Sequence, residues 1–340
     1  MMLDLNTIWF LLVGVLIVGY AILDGFDLGA GVISLFLRDP REKRLCMKAI
    51  APVWDGNEVW LLTAGGALFA AFPPVYAAVF SGFYIAFVLL LVALIFRAVS
   101  LEFYGKVDSV RWHYAWGWAF GLGSLVAAIL FGVAFGNILR GLPIDSKGEF
   151  TGTFLGLLNP YALSVGVLGL AMFIMHGGAY LALKTDGELR ERMHSWAMGG
   201  WAALAVLYIP VTFFTLTTSP FLFEKLSRNM LFYLALIPLL VSIPCVPAAL
   251  TGRRYGRAFV ASAATIASMI AMAGISLYPM LVPSRLYPSF SLTIYNASST
   301  PLTLKVMFII AAVGVPVMLV YTAYVYRVFR GIVRHSDEGY

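Results

Sequence analysis

The sequence predicts an all-α protein embedded in a membrane, and three observations support this prediction. Of the 340 residues, 61% are apolar and only 12% are charged, and the mean hydropathy is +0.88. A soluble domain cannot bury that much apolar surface, so lipid is the expected solvent for most of the chain. The apolar residues also form runs of about 20 or more, each long enough to cross a bilayer as a helix.

Charged and Pro/Gly clusters divide these runs into nine predicted transmembrane helices. The first run, from Ile8 to Leu37, is too long for the core of a signal peptide and shows no cleavage-like site, so we expect it to remain as a helix. No linker separates soluble domains, and we expect a single transmembrane domain over residues 1–340. The predicted helices lie near residues 7–37, 50–72, 75–103, 112–139, 158–183, 195–217, 229–250, 256–279 and 303–329.

The lysines and arginines predict how these helices are threaded through the membrane. Cytoplasmic segments of membrane proteins carry the excess of both residue types. With the N-terminus outside, the inner segments hold 16 of the 23 basic residues and the outer segments hold six. This bias and the odd number of helices agree on an outer N-terminus and a cytoplasmic C-terminus. The net charge of +6 therefore reflects topology, because the basic residues form no patch suited to nucleic acid.

Four carboxylates and one arginine fall within the predicted helices. Asp24 and Asp27 are three residues apart and share a face of the first helix. Asp55 and Glu58 share a face of the second helix in the same way. Counting about 1.5 Å per residue from the nearest cytoplasmic charge places Asp27, Glu58 and Arg97 at depths of about 16, 15 and 14 Å. We therefore expect these side chains to lie level with one another.

Two interpretations of this polar set remain open. Ionisable side chains in hydrocarbon are expensive and need partners, so the set could be a structural ion cluster that fixes helix packing. It could also be a proton route, because a single arginine leaves the acidic set formally negative. Trp54 and Trp60 flank the carboxylates of the second helix and are candidates for pocket walls, with core packing as the alternative. Asn57 lies between the two carboxylates and is also predicted to line the pocket or pack against it.

The histidines and tyrosines give weaker signals. His176 lies inside the fifth predicted helix, and no second buried histidine lies level with it, so the pattern does not predict a haem held by two histidines. A haem with a different second ligand stays open. We expect His176 to be hydrogen-bonded in a polar pocket or at a helix interface. The tyrosines of the last helix, among them Tyr326, are typical of the membrane interface.

Several motifs resemble those of one protein family. They are LDGFDLG at 23–29, WDGNEVW at 54–60, TAGGALFA at 63–70, FSGFY at 80–84, and SLT at 291–293 leading to Tyr321-Thr322. Together they are similar to subunit 2 of cytochrome bd-type quinol oxidases, and the resemblance spans almost the whole chain. It implies two four-helix bundles plus one additional helix, in a bacterial or archaeal cytoplasmic membrane.

The resemblance also implies a function. Such complexes oxidise a membrane quinol and reduce dioxygen to water with cytoplasmic protons, and haems b and d belong to subunit 1. Subunit 2 would bind no haem itself, stabilise subunit 1 and line part of a proton path. The family's tryptophan-aspartate pair matches Trp54 and Asp55, which makes Asp55 the candidate for proton uptake. The resemblance further allows small accessory subunits and a structural quinone near Asp27 and Trp54.

A function of another class uses the same residues. A proton-coupled secondary transporter would also need buried carboxylates. Such transporters often contain paired, Gly/Pro-broken helices in two inverted halves, and we find no such pairing in the sequence. Without the family resemblance, the residues alone leave both functions open.

Overall fold

A computed structural model describes residues 4–224 and 229–334. Within these residues the chain is mostly helical, and eight segments are long and apolar enough to cross a membrane. The length and composition of these segments support the predicted class, an all-α integral membrane protein. The eight segments are Leu5–Ser34, Tyr84–Phe103, Val110–Arg140, Pro160–Lys184, Gly187–Thr218, Met230–Thr251, Tyr255–Leu277 and Pro301–Val328.

The described residues form thirteen α-helices and one two-stranded antiparallel hairpin. The helices are α1 (Leu5–Leu23), α2 (Gly25–Ser34), α3 (Pro40–Ile50), α4 (Trp54–Ala71), α5 (Pro73–Gly82), α6 (Tyr84–Phe103), α7 (Val110–Arg140), α8 (Phe154–Leu157), α9 (Pro160–Lys184), α10 (Gly187–Thr218), α11 (Met230–Thr251), α12 (Tyr255–Leu277) and α13 (Pro301–Val328). The strands are β1 (Met280–Val282) and β2 (Leu292–Thr293).

Two of the predicted helices are interrupted by a single residue. The helix expected near 7–37 consists of α1 and α2, separated by Asp24, and the helix expected near 75–103 consists of α5 and α6, separated by Phe83. A one-residue interruption leaves the run of apolar side chains intact, so a search for apolar runs does not detect it.

Helix α3 was not predicted, because it is short and half charged. Pro40 occupies its first turn, and the Asp39 carboxylate accepts a hydrogen bond from the Arg41 backbone N–H at 2.8 Å. Both features are favourable at a helix N-terminus. The helix follows α2 and lies beside α7 and α9 at one end of the bundle.

Helix α4 lies near the predicted helix at 50–72, but it differs from the eight apolar segments. It contains 18 residues and ends just before Pro73. Asp55, Asn57 and Glu58 in its first two turns lower its average hydropathy. Its neighbours are α1, α5 and α13.

The packed centre of the protein is α9, which contacts α2, α7, α10 and α12. Close approach to α2 depends on Gly29 and Gly177. A Cβ atom at Gly29 would lie 1.9 Å from the Phe173 carbonyl oxygen, and one at Gly177 would lie 2.6 Å from the Gly29 carbonyl carbon. Small residues commonly allow membrane helices to pack this tightly.

The bundle has two different ends. At the end that we call the α3 face, Glu42 of α3 pairs with Arg192 of α10, and Glu191 Oε1 lies 2.7 Å from Arg253 Nη1. The opposite end, the hairpin face, joins the β1–β2 hairpin to the chain that follows α7. There the Ser284 hydroxyl donates to the Ile144 carbonyl at 2.7 Å.

Candidate functional site

Arg97 of α6 is the centre of a buried ionic cluster. Its Nη1 donates to Asp24 Oδ2 at 2.8 Å, and its Nη2 donates to the other oxygen of the same carboxylate. Nη2 also lies 4.0 Å from Asp27 Oδ2, and Nη1 lies 3.6 Å from Glu58 Oε1. The side chains of Arg97, Asp24 and Asp27 are fully buried, whereas that of Glu58 is 24% exposed.

This cluster contains more carboxylates than it has cations to balance them. Asp24 forms a bidentate pair with Arg97, while Asp27 and Glu58 lie at the edge of ion-pair distance. Among the described residues, Asp27 Oδ1, Glu58 Oε1 and Arg97 Nε have no hydrogen-bond partner. Unpaired buried charges are costly. The arrangement can therefore hold protons on its carboxyl groups and accept water between them.

Asn57 connects the cluster to the last helix. Its Nδ2 donates to Asp27 Oδ2 at 2.8 Å and to the Leu23 carbonyl at 2.9 Å. Its Oδ1 accepts a hydrogen bond from the Tyr326 hydroxyl of α13 at 3.0 Å. Sequence reasoning assigned Tyr326 to the membrane interface and missed this contact. Only its position near the end of an aromatic-rich helix was visible in the sequence.

The interruption between α1 and α2 places both aspartates of this segment in the cluster. Helix α1 ends at Leu23, Asp24 lies between the helices, and Asp27 is in the first turn of α2. The last carbonyl groups of a helix lack partners within the helix. Here the Leu23 carbonyl accepts from Asn57, and the Ile22 carbonyl lies 3.0 Å from His176 Nε2.

His176 occupies a buried pocket at this interruption. Its Nδ1 lies 2.6 Å from the Ser262 hydroxyl, and its ring stacks on Phe259 with 4.6 Å between centroids. Both ring nitrogens are therefore engaged. His113 stacks on Tyr104, and His194 packs against Tyr255.

The contacts of His176 do not fit a role for this side chain as a haem ligand. The two nitrogens of His176 already have partners, and His335 lies outside the described residues. Within residues 4–224 and 229–334, no group of three or more histidine, cysteine, aspartate and glutamate side chains could hold a metal ion.

The structure places Asp55 and Trp54 outside the buried contacts. Asp55 lies in the first turn of α4 with an exposed side chain, and Trp54 beside it is half-buried. Glu58 lies one turn further along the same helix and reaches Arg97. The i, i+3 spacing correctly places Asp55 and Glu58 near each other, but it cannot show which of them a neighbouring helix covers.

An aromatic layer lies between the cluster and the hairpin face. Tyr20 and Trp60 pack there with Leu16 and Ala64. The Trp60 ring fits directly over Gly19, where a Cβ atom would lie 2.1 Å from the ring. The polar cluster is thus bounded by bulky side chains on the side that faces the hairpin.

The fold and this site define a multi-pass membrane protein with a buried arginine–carboxylate cluster at its polar centre. Comparison with known proteins gives the family. The chain belongs to the family of cytochrome bd terminal oxidase subunit II, whose model matches residues 5–329. The resemblance predicted from the sequence motifs is thereby confirmed.

Individual relatives agree over nearly their whole length. The chain is 40% identical to cytochrome bd-I ubiquinol oxidase subunit 2 of Escherichia coli strain K12, covering 98% of this chain and 96% of the relative. It is 36% identical to cytochrome bd ubiquinol oxidase subunit 2 of Bacillus subtilis strain 168, covering 99% of both. Its fold is similar to a chain in the structure of bd oxidase from Geobacillus thermodenitrificans. That match has a TM-score of 0.80 and 20% identity, and it covers 96% of this chain and 98% of that chain.

Family membership assigns the chain to a quinol oxidase complex, which is an oxidoreductase of the electron-transport class. It also implies a partner, subunit 1 of the same complex. The apolar helices and the relatives together identify a multi-pass protein of the bacterial cytoplasmic membrane.

Proposed function

We propose that this subunit conducts cytoplasmic protons toward the dioxygen-reducing centre of its partner and stabilises that partner. The observation that supports this proposal is the cluster around Arg97, where Asp24, Asp27 and Glu58 converge on a single guanidinium. A carboxyl group in such a cluster gains and loses a proton at low cost, because the neighbouring carboxylate and the arginine can share the remaining charge. Reduction of dioxygen to water consumes protons, so a route for them is needed.

The proposed route begins at Asp55. Its exposed carboxylate lies one helical turn from Glu58, which is partly exposed and reaches Arg97. Protons would pass from Asp55 to Glu58 and then to the pair Asp24 and Asp27. The Arg97 guanidinium stabilises the charge of whichever carboxylate is ionised, so the cluster always holds a base that can accept the next proton.

The proposed topology puts the α3 face in the cytoplasm. Most basic residues of the interhelical segments lie at this face, as the positive-inside rule expects. Helix α4 would be the ninth transmembrane helix. Its 18 residues span about 27 Å, close to the thickness of the hydrocarbon core of about 30 Å. The nine helices would then form two four-helix bundles and one additional helix.

Cofactors are proposed to lie mainly outside this chain. Haems b and d would be held by subunit 1, where they supply the electron transfer and the binding of dioxygen. A structural quinone near Trp54 and Asp27 stays a prediction; the Asp27 side chain is buried, and Trp54 is half-buried. The family and the relatives are those of the oxidase, which argues against the alternative of a proton-coupled transporter.

The partition of haem is tested with a reduced-minus-oxidised absorbance spectrum. The complex is purified in mild detergent through a tag on this chain, and the chain expressed alone is the comparison. We expect b- and d-type bands from the complex and none from the isolated chain. A stoichiometric Soret band from the isolated chain would contradict the proposal.

Proton uptake is tested with Asp55→Asn in the intact complex. We expect slower oxygen consumption and a smaller membrane potential in proteoliposomes, with unchanged haem content, because the amide cannot carry a proton. Asp186→Asn is the matched control. Asp186 is exposed at the same face, directly before the first residue of α10. Equal turnover and potential in both variants would rule out Asp55 as the point of proton uptake.

A further inference from the structure

The interruption between α1 and α2 is fixed from outside by side chains of other helices. Two consecutive carbonyl groups, those of Ile22 and Leu23, precede Asp24. The Leu23 carbonyl accepts from Asn57 of α4 at 2.9 Å, and the Ile22 carbonyl lies 3.0 Å from His176 Nε2 of α9. We propose that His176 is a positioning residue that holds this interruption open, so that the Asp24 carboxylate meets Arg97. This inference rests on the proposed role of the cluster in proton conduction.

The partners of His176 fix its tautomer. A carbonyl oxygen can only accept a hydrogen bond, so Nε2 carries the hydrogen and donates to Ile22. The neutral ring then has a lone pair on Nδ1, which accepts from the Ser262 hydroxyl at 2.6 Å. Ser262 Oγ also lies 2.8 Å from the Phe259 carbonyl, but its single hydrogen can serve only one acceptor at a time.

The surroundings of His176 favour the uncharged ring. It is fully buried between Phe26 and Phe259. In the described part of the chain no carboxylate forms an ion pair with it. An imidazolium here would be a buried charge without compensation, which is costly. His176 therefore acts as a fixed hydrogen-bond donor and lies beside the proton route without belonging to it.

His176 controls the cluster through the backbone. Ile22 lies two residues before Asp24, so rotation of its peptide group changes the direction of the aspartate side chain. On the other side of Asp24, Gly25 packs closely against α9. A Cβ atom at Gly25 would lie only 2.8 Å from the Phe173 ring. Helix α9 thus fixes the backbone on one side of Asp24 by a hydrogen bond and on the other side by packing.

The test compares two substitutions in the intact oxidase complex. In His176→Gln the side-chain amide can still donate to the Ile22 carbonyl, whereas in His176→Leu the donor is lost. We expect His176→Leu to lower kcat for quinol-dependent oxygen consumption about 10-fold, less than the roughly 100-fold cost of a 1 Å misplacement. The KM for quinol and the haem spectrum should stay unchanged. His176→Gln should recover most of the lost rate.

Several outcomes separate this inference from simpler ones. The inference is overturned if His176→Leu and His176→Gln have equal rates and the melting temperatures explain any loss of rate. The residue would then merely pack. If His176→Leu does not assemble, Ser262→Ala decides instead. That variant should lower kcat without changing KM, and an unchanged kcat would contradict the inference.

Asp24→Asn distinguishes failure of this inference from failure of the proposed function. A normal rate in Asp24→Asn would contradict proton conduction by the cluster. A slow rate in Asp24→Asn together with a normal rate in His176→Leu would leave conduction in place and exclude positioning by His176.

Discussion

Helices α9 and α13 are both long and apolar, yet they are buried to very different extents. Helix α9 buries most of its residues among four neighbouring helices, whereas Leu304 is the only buried residue of α13, all of which is described. Small residues at the helix contacts account for part of the difference. Glycines let α9 approach α2 and α7 at backbone distance, while α13 carries bulky side chains such as Val313 and Val320 on its surface. Within lipid, apolar character alone does not drive helices together, and small residues decide which pairs pack closely.

The ionic cluster lies between these two regions. Helices α4 and α6 on the less packed side contribute Glu58 and Arg97, and the segment between α1 and α2 contributes the aspartates. Polar contacts therefore join the sparsely packed helices to the glycine-packed centre. Hydrogen bonds attach α13 as well, from Tyr326 to Asn57 at one end and from Trp9 Nε1 to the Leu304 carbonyl at 2.9 Å at the other.

The largest expected effect comes from removing the cation of the cluster. Arg97→Ala leaves Asp24 buried without its partner, and breaking a buried pair in this way costs about 3–5 kcal/mol of stability. Thermal unfolding of the purified complex measures this loss of stability. The control is Arg253→Ala, which removes the exposed pair with Glu191 and should cost about 0–1 kcal/mol. Similar melting temperatures for the two variants would show that the cluster does not stabilise the fold.

A smaller effect is expected in the glycine-packed region. Gly29→Ala adds a Cβ atom that would lie 1.9 Å from the Phe173 carbonyl, so α2 and α9 must separate at a cost of about 1–3 kcal/mol. Gly14→Ala on α1 is the matched control, because nothing lies within 4 Å of its added Cβ. The melting temperature should fall for Gly29→Ala only. A fall of the same size in both would contradict the close-packing argument.

Attachment of α13 is tested with a single hydroxyl group. Tyr326→Phe removes the hydrogen bond to Asn57 and should cost about 0.5–1.5 kcal/mol. Tyr324→Phe is the control, since the Tyr324 side chain is 65% exposed. The readout is the melting temperature of the complex. An effect of Tyr324→Phe equal to that of Tyr326→Phe would show that the Asn57 contact is not what holds the helix.

The smallest expected effect comes from Asp4, which caps the N-terminus of α1. The Asp4 carboxylate accepts from the Thr7 backbone N–H at 2.7 Å, and this hydrogen bond lowers the pKa of Asp4 below its ordinary value of 3.8. A lowered pKa means that the stabilisation is present above that ordinary value and is lost as the pH falls through the folded pKa. Asp4→Ala should therefore lower the melting temperature slightly at pH 7, and the difference from wild type should shrink as the pH falls below about 4. A difference that does not change with pH would point to another cause.

The proximity of three charged residues could be predicted from the sequence, because the rise of an α-helix is constant. Counting from the cytoplasmic charges put Asp27, Glu58 and Arg97 at one level, and the structure brings the carboxylates of Asp27 and Glu58 within 4.0 Å of the Arg97 guanidinium. The residue types alone also indicated that such charges need partners. Both arguments use only the residue types and their spacing along single helices.

The remaining features depend on contacts between helices, which spacing does not encode. The interruption at Asp24 is held by Asn57 and His176 from α4 and α9, and neither contact leaves a signal in the segment itself. The exposure of Asp55 likewise depends on which helix covers α4. Tyr326 was assigned to the interface because aromatic residues near a helix end are usually found there.

Asp27→Asn in the intact complex tests most directly whether the cluster conducts protons. Oxygen consumption and proton uptake are measured in proteoliposomes, and a reduced-minus-oxidised spectrum of the same sample reports assembly. We predict normal haem bands with slower oxygen consumption and reduced proton uptake, because the amide removes a proton-holding group without removing the hydrogen-bond acceptor that faces Asn57. Normal haem bands with wild-type turnover and uptake would contradict the account.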